Sequence, residues 1–356
     1  MATAAAVCFT LLWRDVGALA ATKWQPAAPG YRFSFPRDYG AHERAQTEWW
    51  YYTGNVRDGR GHRYGFELTF FRSGVQRPLP HGSAWDINNL YLAHFALSDI
   101  AAERFFFSER TGRAALGLAG ASVSGERVWI GSWQARRMAS GLHSLRADMP
   151  EAAVSLRALP AKPLVIHGRD GVSAKGDCRT CASHYYSFTR LVVRGMLTSR
   201  GHRTPVSGVA WNDHEWGSDE LQAGVVGWDW FSLQLNGERE LMLYLLRRAD
   251  GAAIPQSSGS LIGPDGNVVH LTRSMFSVRA LGTWRSPHSG VRYPAGWAIV
   301  LPAYHARLRV VPMLADQELT TRRSTGVVYW EGACAIDGVF ERKAARGAGY
   351  TELTGY

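Results

Sequence analysis

Apolar and polar residues alternate with a period of two over much of the chain. The run Arg63-Tyr64-Gly65-Phe66-Glu67-Leu68-Thr69-Phe70-Phe71 and residues 89–97 are rich in aromatic and branched side chains and are bounded by turn residues, which predicts strands. Residues 231–235 and 241–246 flank Asn236-Gly237, and residues 259–262 and 268–271 flank Pro264-Asp265-Gly266-Asn267. Both connections suit tight turns, so two hairpins are predicted. No long stretch carries a capped period of 3.6, so helix content should be low. Many short strands over 356 residues predict an all-β protein built from barrels or sandwiches, with length enough for two, each with its own core.

Two stretches break the ordinary economy of that pattern. Trp211-Asn212-Asp213-His214-Glu215-Trp216-Gly217 and Gly227-Trp228-Asp229-Trp230-Phe231 interleave acids and a histidine with four tryptophans. Acids favour water and tryptophans avoid it, so the mixture predicts a pocket lined by both, or else two strands with tryptophans facing the core and acids facing solvent. His214, between Asp213 and Glu215, is open to two readings: a core histidine satisfied by a backbone partner, or a catalytic group with acidic neighbours to orient it. A further cluster comprises residues 35–42 and Thr47-Glu48-Trp49-Trp50-Tyr51-Tyr52-Thr53-Gly54-Asn55. There Glu48 is either the buried acid of a first barrel or the partner of an arginine such as Arg44. His94 reads as structural and Asp86 as a turn residue.

The net charge of +10 and a pI near 9.7 would suit a nucleic-acid partner, but the basic residues are nearly all arginines spread singly or in pairs. That distribution argues against nucleic acid and for a solvated face able to touch anionic lipid headgroups, a peripheral membrane contact. The apolar residues 4–13, followed by Ala18-Leu19-Ala20, read as an export segment over residues 1–22, which implies a periplasmic or otherwise exported protein; Arg14-Asp15 interrupts the run and leaves a cytoplasmic location as the alternative. Cys178 and Cys181 have zinc-ligand spacing without a matching second pair, so no metal is expected, and a local disulfide is the better reading for an exported chain. Neither a phosphate-binding glycine loop nor a Gly-x-Ser-x-Gly elbow occurs.

The runs from Thr47, from Ala210, from Gly227 and from Tyr329, with the closing Gly349-Tyr350-Thr351-Glu352-Leu353-Thr354-Gly355-Tyr356, together resemble the family that joins bacterial carotenoid 1,2-hydratases with the AttH-like proteins. The resemblance runs from about Tyr31 to Tyr356. It implies two lipocalin-like, calycin-type β-barrel domains in tandem, divided here into residues 23–210 and 211–356. It also implies a hydrophobic ligand, isoprenoid, carotenoid-like or lipid, and either of two roles. One is a hydratase or isomerase that works without a cofactor, by acid catalysis and a tryptophan-stabilised carbocation. The other is a carrier that catalyses nothing and serves an envelope ABC transporter permease. By this resemblance His214, Trp216 and Asp229 match hydratase positions, while Gly227 stands where a tyrosine would be expected. The expected catalytic set is Asp213, His214, Asp229 and Glu48, and the expected ligand walls are Trp211, Trp216, Trp228, Trp230, Trp49 and Trp50. Asp213, His214 and Asp229 are expected to converge on one pocket walled by Trp216 and Trp230.

Overall fold

A computed structural model describes residues 24–75, 87–218 and 221–356. Residues 1–22, read as an export segment, and Asp86 lie outside the described residues. The first sheet starts with four long antiparallel strands, β1 (Thr47–Asp58), β2 (Arg63–Gly74), β3 (Asn89–Asp99) and β4 (Arg104–Arg113). Five shorter ones follow: β5 (Ala119–Ala121), β6 (Arg127–Ile130), β7 (Trp133–Arg137), β8 (His143–Asp148) and β9 (Ala152–Pro160). After the small β10 (Val165–Ile166) and β11 (Ser173–Ala174), the long strands β12 (Ala182–Ser199) and β13 (His202–Gly217) return through the middle. β13 pairs with β1 on one side and β12 on the other, and β4 comes back against β5 and β6, so the sheet curls into a nearly closed barrel.

The second sheet, a half-barrel, follows the order β17 (Val268–Thr272), β16 (Ser258–Ile262), β15 (Arg239–Arg248), β14 (Val225–Leu235), β25 (Lys343–Leu353), β24 (Val327–Phe340), β22 (Ala306–Pro312), β21 (Trp297–Leu301) and β18 (Ser277–Ala280). β19 (Thr283–Arg285) and β20 (Arg292–Pro294) form a separate ribbon, and β23 (Glu318–Thr321) pairs with β24. The two hairpins read from the sequence are β14–β15 and β16–β17, and Gly237 and Gly266 take the positive φ that their turns require. The architecture is all-β with two lipocalin-like barrels in tandem. The chain changes sheet between Gly217 and Val225. A division at 210/211 would cut β13, which continues its ladder with β1 as far as Gly217.

Period-2 alternation sorts the side chains into three compartments. The inward faces of the first sheet form one core, with Trp50, Tyr52, Phe66, Phe70, Trp133 and Trp216. The second barrel has its own apolar core around Phe231, Leu243, Trp297 and Trp330. Between the barrels lies a third layer built from both outer faces, including Tyr51, Tyr185, Trp211, Trp230, Tyr244 and Tyr350. An N-terminal strap carrying Tyr31, Phe33, Phe35 and Tyr39 lies across one end of the first barrel. Cys178 and Cys181 are joined by a disulfide, and Cys334 is free and buried.

Candidate active site in the first barrel

The ladder register decides which of the expected residues meet. Glu48 stands opposite Trp216, Trp50 opposite His214 and Tyr52 opposite Asn212, so all six point into the first barrel. Arg72 of β2 faces Glu48, and Tyr186 of β12 faces His214. The result is a chain of buried polar groups. His214 Nε2 shares a hydrogen bond with Glu48 Oε1 at 2.8 Å, and His214 Nδ1 shares one with the Tyr186 hydroxyl at 2.9 Å. Arg72 Nε donates to Glu48 Oε2 at 3.0 Å, so the arginine that holds Glu48 is Arg72 and not Arg44. His42, at the end of the strap, donates its backbone N–H to Glu48 and shares a ring hydrogen bond with Glu48 Oε1 at 2.8 Å. It also stacks flat on Trp216, with centroids 3.5 Å apart.

These contacts fix the charges. Burial works to raise the Glu48 carboxyl, but Arg72, His214 and His42 outweigh it and hold Glu48 well below the usual carboxylate range. Burial lowers His214 to about 4, with Glu48 offsetting part of the effect, so the ring is neutral near pH 7. An ionised Glu48 then accepts a hydrogen bond from the Nε2–H of His214, and Nδ1 is left to accept from Tyr186. That is a hydroxyl, imidazole and carboxylate in series. His42 Nδ1, Glu48 Oε1 and His214 Nε2 are close enough to hold a metal ion. A cation there would face the buried Arg72 guanidinium on the same carboxylate, so the donor set suits a proton relay better than a metal centre.

A second polar group in the same barrel carries no motif. The Tyr52 hydroxyl donates to Glu126 Oε1 and lies 2.9 Å from His143 Nδ1, all three side chains being buried. Burial pushes the Glu126 carboxyl up to about 7 and His143 down to about 3, which makes Glu126 a neutral-range acid beside a neutral imidazole. Glu126 Oε2, His143 Nε2, Trp50 Nε1 and Asn212 Oδ1 have no hydrogen-bond partner among the described residues. Buried polar atoms rarely stay unpaired, and four in one barrel interior require water or a ligand's polar group to satisfy them.

The other expected residues lie elsewhere. Asp213, adjacent to His214, points the opposite way into the layer between the barrels, where it accepts from Ser187 and from Trp211 Nε1 at 2.6 Å. Burial raises it to about 7. Asp229 faces the second barrel and is held by Arg247 Nε at 2.7 Å and the Tyr356 hydroxyl at 2.8 Å. The expected convergence of Asp213, His214 and Asp229 therefore does not occur: alternation separates the first two, and the third belongs to another barrel. Of the tryptophans, Trp50 and Trp216 wall the first barrel, while Trp49, Trp211, Trp228 and Trp230 lie in the interdomain layer. Sequence reasoning missed Tyr52, Glu126, His143, Arg72, His42 and Tyr186. Only Tyr52, two and four residues from Trp50 and Glu48 on one strand, carried a usable signal of shared face.

The family model described as AttH-like matches residues 26–356. A protein of Nitrosomonas europaea described as AttH is 33% identical, with 93% of this chain and 99% of that one covered at a TM-score of 0.85. Kievitone hydratase from Nectria haematococca has the same fold at 12% identity and a TM-score of 0.71, covering 92% of this chain and 98% of its own. CghA, in a structure with Sch210972, follows at 13% identity and 0.56, covering 92% and 94%. No curated protein matches the chain.

Proposed function

The chain belongs to the AttH-like family, and on that premise we propose that its first barrel is a cofactor-independent acid–base site that hydrates or isomerises a double bond in a hydrophobic ligand, isoprenoid, carotenoid-like or lipid in class. The observation that carries the reading is Glu126: a buried carboxyl raised to about 7, bonded to Tyr52, with its second oxygen unpartnered among aromatic walls. Such an acid protonates an alkene carbon and leaves a carbocation on the neighbouring carbon. The faces of Trp50, Tyr186 and Trp216 stabilise that cation, by roughly 2 kcal/mol where water is excluded. Water then adds to the cation. Its surplus proton passes to the Tyr186 oxygen as Tyr186 gives its own to His214 Nδ1, and Glu48 stabilises the imidazolium. Return of that proton to Glu126 closes the cycle, so alkene and water give an alcohol. The name of kievitone hydratase, which shares the fold, supports a hydration.

An apolar pocket of about 200 Å³ lined by Trp284, Pro294, Val311, Pro312 and Trp330 favours a second role, carriage of the lipophile, in association with an envelope ABC transporter permease and with basic surface against a membrane. The disulfide at Cys178–Cys181 supports the exported location that both roles share. Incubation of the full chain with acyclic isoprenoid alkenes in isotopically labelled water separates the roles. Label in an alcohol product, abolished by Glu126→Gln with binding retained, is expected of the enzyme. Binding without any product would leave the carrier.

A further inference from the structure

We propose that Glu67, Glu331 and Thr53 form a binding site between the two barrels for a hard divalent cation of the calcium class. None of these groups belongs to the first-barrel site. Thr53 stands opposite Glu67 across β1 and β2, on the outward face of the first sheet. Glu331 stands opposite the half-buried Glu352 across β24 and β25, on the facing surface of the second. The two surfaces close on each other: the Tyr51 hydroxyl of the first donates to Glu331 of the second, and the Tyr329 hydroxyl of the second donates to Glu67 Oε1 at 3.4 Å. Tyr329 and Glu331 stand two residues apart on one face of β24, so the contact with Tyr329 brings Glu67 toward Glu331.

Two features make this more than a group of acids. The charges acting most strongly on Glu67 and Glu331 are other carboxylates, with no arginine or lysine among the leading influences. Moreover Glu67 Oε2 and Thr53 Oγ1, both on side chains no more than 1% exposed, lack any hydrogen-bond partner among the described residues. Asn55 Oδ1, two residues along the same face, is also unpartnered. The unpartnered atoms are all oxygens able to accept or to ligate a cation. Oxygen-only donors with two carboxylates suit calcium-like ions rather than zinc or copper. His94, the imidazole beside Tyr329, has its ring nitrogens engaged by Tyr329 at 2.7 Å and Ser324 at 2.8 Å. Phe105 and Phe107 pack against the small apolar cluster of Ala96, Leu319 and Tyr329.

The test is terbium(III) titration of the full chain, with luminescence excited through Tyr51, Tyr329 and the neighbouring tryptophans, and with calcium as competitor. The proposal expects one saturable signal that calcium displaces, and a calcium-dependent rise in melting temperature. Glu67→Gln and Glu331→Gln, which keep shape and remove charge, should each weaken terbium binding about tenfold or more, since even indirect partners of a metal are worth that much. The exposed Asp337→Asn should change nothing. Thr53→Val removes one oxygen and no charge, and serves if a carboxamide variant does not fold. An unsaturable signal, or one unaltered in folded Glu67→Gln, Glu331→Gln or Thr53→Val protein, overturns the proposal. Hydration activity is not the readout, so failure here leaves the first-barrel reading standing.

Discussion

Asp213 and His214 are consecutive in the chain and serve different compartments. His214 meets Glu48 and Tyr186 inside the first barrel, while Asp213 meets Ser187 and Trp211 between the barrels. A strand shows successive side chains to opposite faces, so residues next to each other in sequence are the ones least able to act on the same molecule. Any mechanism for this chain has to take its groups from one parity of β1 and β13.

The relay predicts a separation of binding from turnover. Tyr186→Phe removes the hydroxyl on His214 Nδ1 and leaves the ring that walls the barrel. Turnover should fall about 100- to 10,000-fold, the usual worth of a positioned acid or base, with ligand affinity nearly unchanged. Comparison of kcat with the dissociation constant of the same substrate checks it, and equal loss of both would remove Tyr186 from the relay.

Catalysis needs His214 neutral and Glu126 protonated. His214 is lowered to about 4 and Glu126 raised to about 7. The kcat/KM profile should therefore be a bell, rising through the lower value and falling through the upper one. In Glu126→Gln any residual activity should lose the alkaline limb. An alkaline limb that survives would assign it to another group.

Stability should respond to pH in two opposed ways. Glu67 and Asp213 are raised by burial to about 8 and about 7. The folded protein holds their protons more tightly than the unfolded chain does, so their contribution is full below ordinary carboxylate values and is lost as pH rises through 7 to 8. Glu48 and Asp38 are held low by their partners despite burial, so theirs is present above ordinary values and is lost on acidification. Urea unfolding at pH 5, 7 and 9 should show lower stability at 9, and Glu67→Gln should flatten that decline.

Arg72 is buried and donates to Glu48, Asn89 and the backbone oxygens of His42 and Ala45. Arg72→Met leaves the Glu48 charge without its principal counter-charge. The expected loss is about 3–5 kcal/mol, typical of a buried pair broken on one side, measured by chemical denaturation. A change below about 1 kcal/mol, as at an exposed pair, would mean that water reaches Glu48.

The strands were legible because alternation and turn chemistry are local. The hairpins around Asn236-Gly237 and Pro264-Asp265-Gly266-Asn267 needed nothing beyond their own residues. Glu48, His214, Trp50 and Trp216, candidates by their sequence runs, lie together inside the first barrel. Their company was harder to read, because pairing Glu48 with Arg72 or Tyr52 with Glu126 depends on ladder register and on the curl of the sheet. Glu126 and His143 stand by short strands with nothing unusual around them, and only the closed barrel brings them to Tyr52. Asp229 misled because a short sequence distance from His214 spans the passage from one barrel to the next.

The strap that crosses the first barrel has a consequence for timing. Tyr31 and Phe33 pack against Trp216, Phe35 packs against Tyr186, and the Arg137 guanidinium lies 3.9 Å over Tyr39. A guest of any size entering at that end must first lift this aromatic row. Arrival would then be limited by how often the strap opens rather than by how much ligand is present, so observed uptake rates should level off at high ligand concentration. Shortening a single ring, as in Phe33→Ala, would hasten both entry and escape, making the barrel quicker without making it a stronger binder.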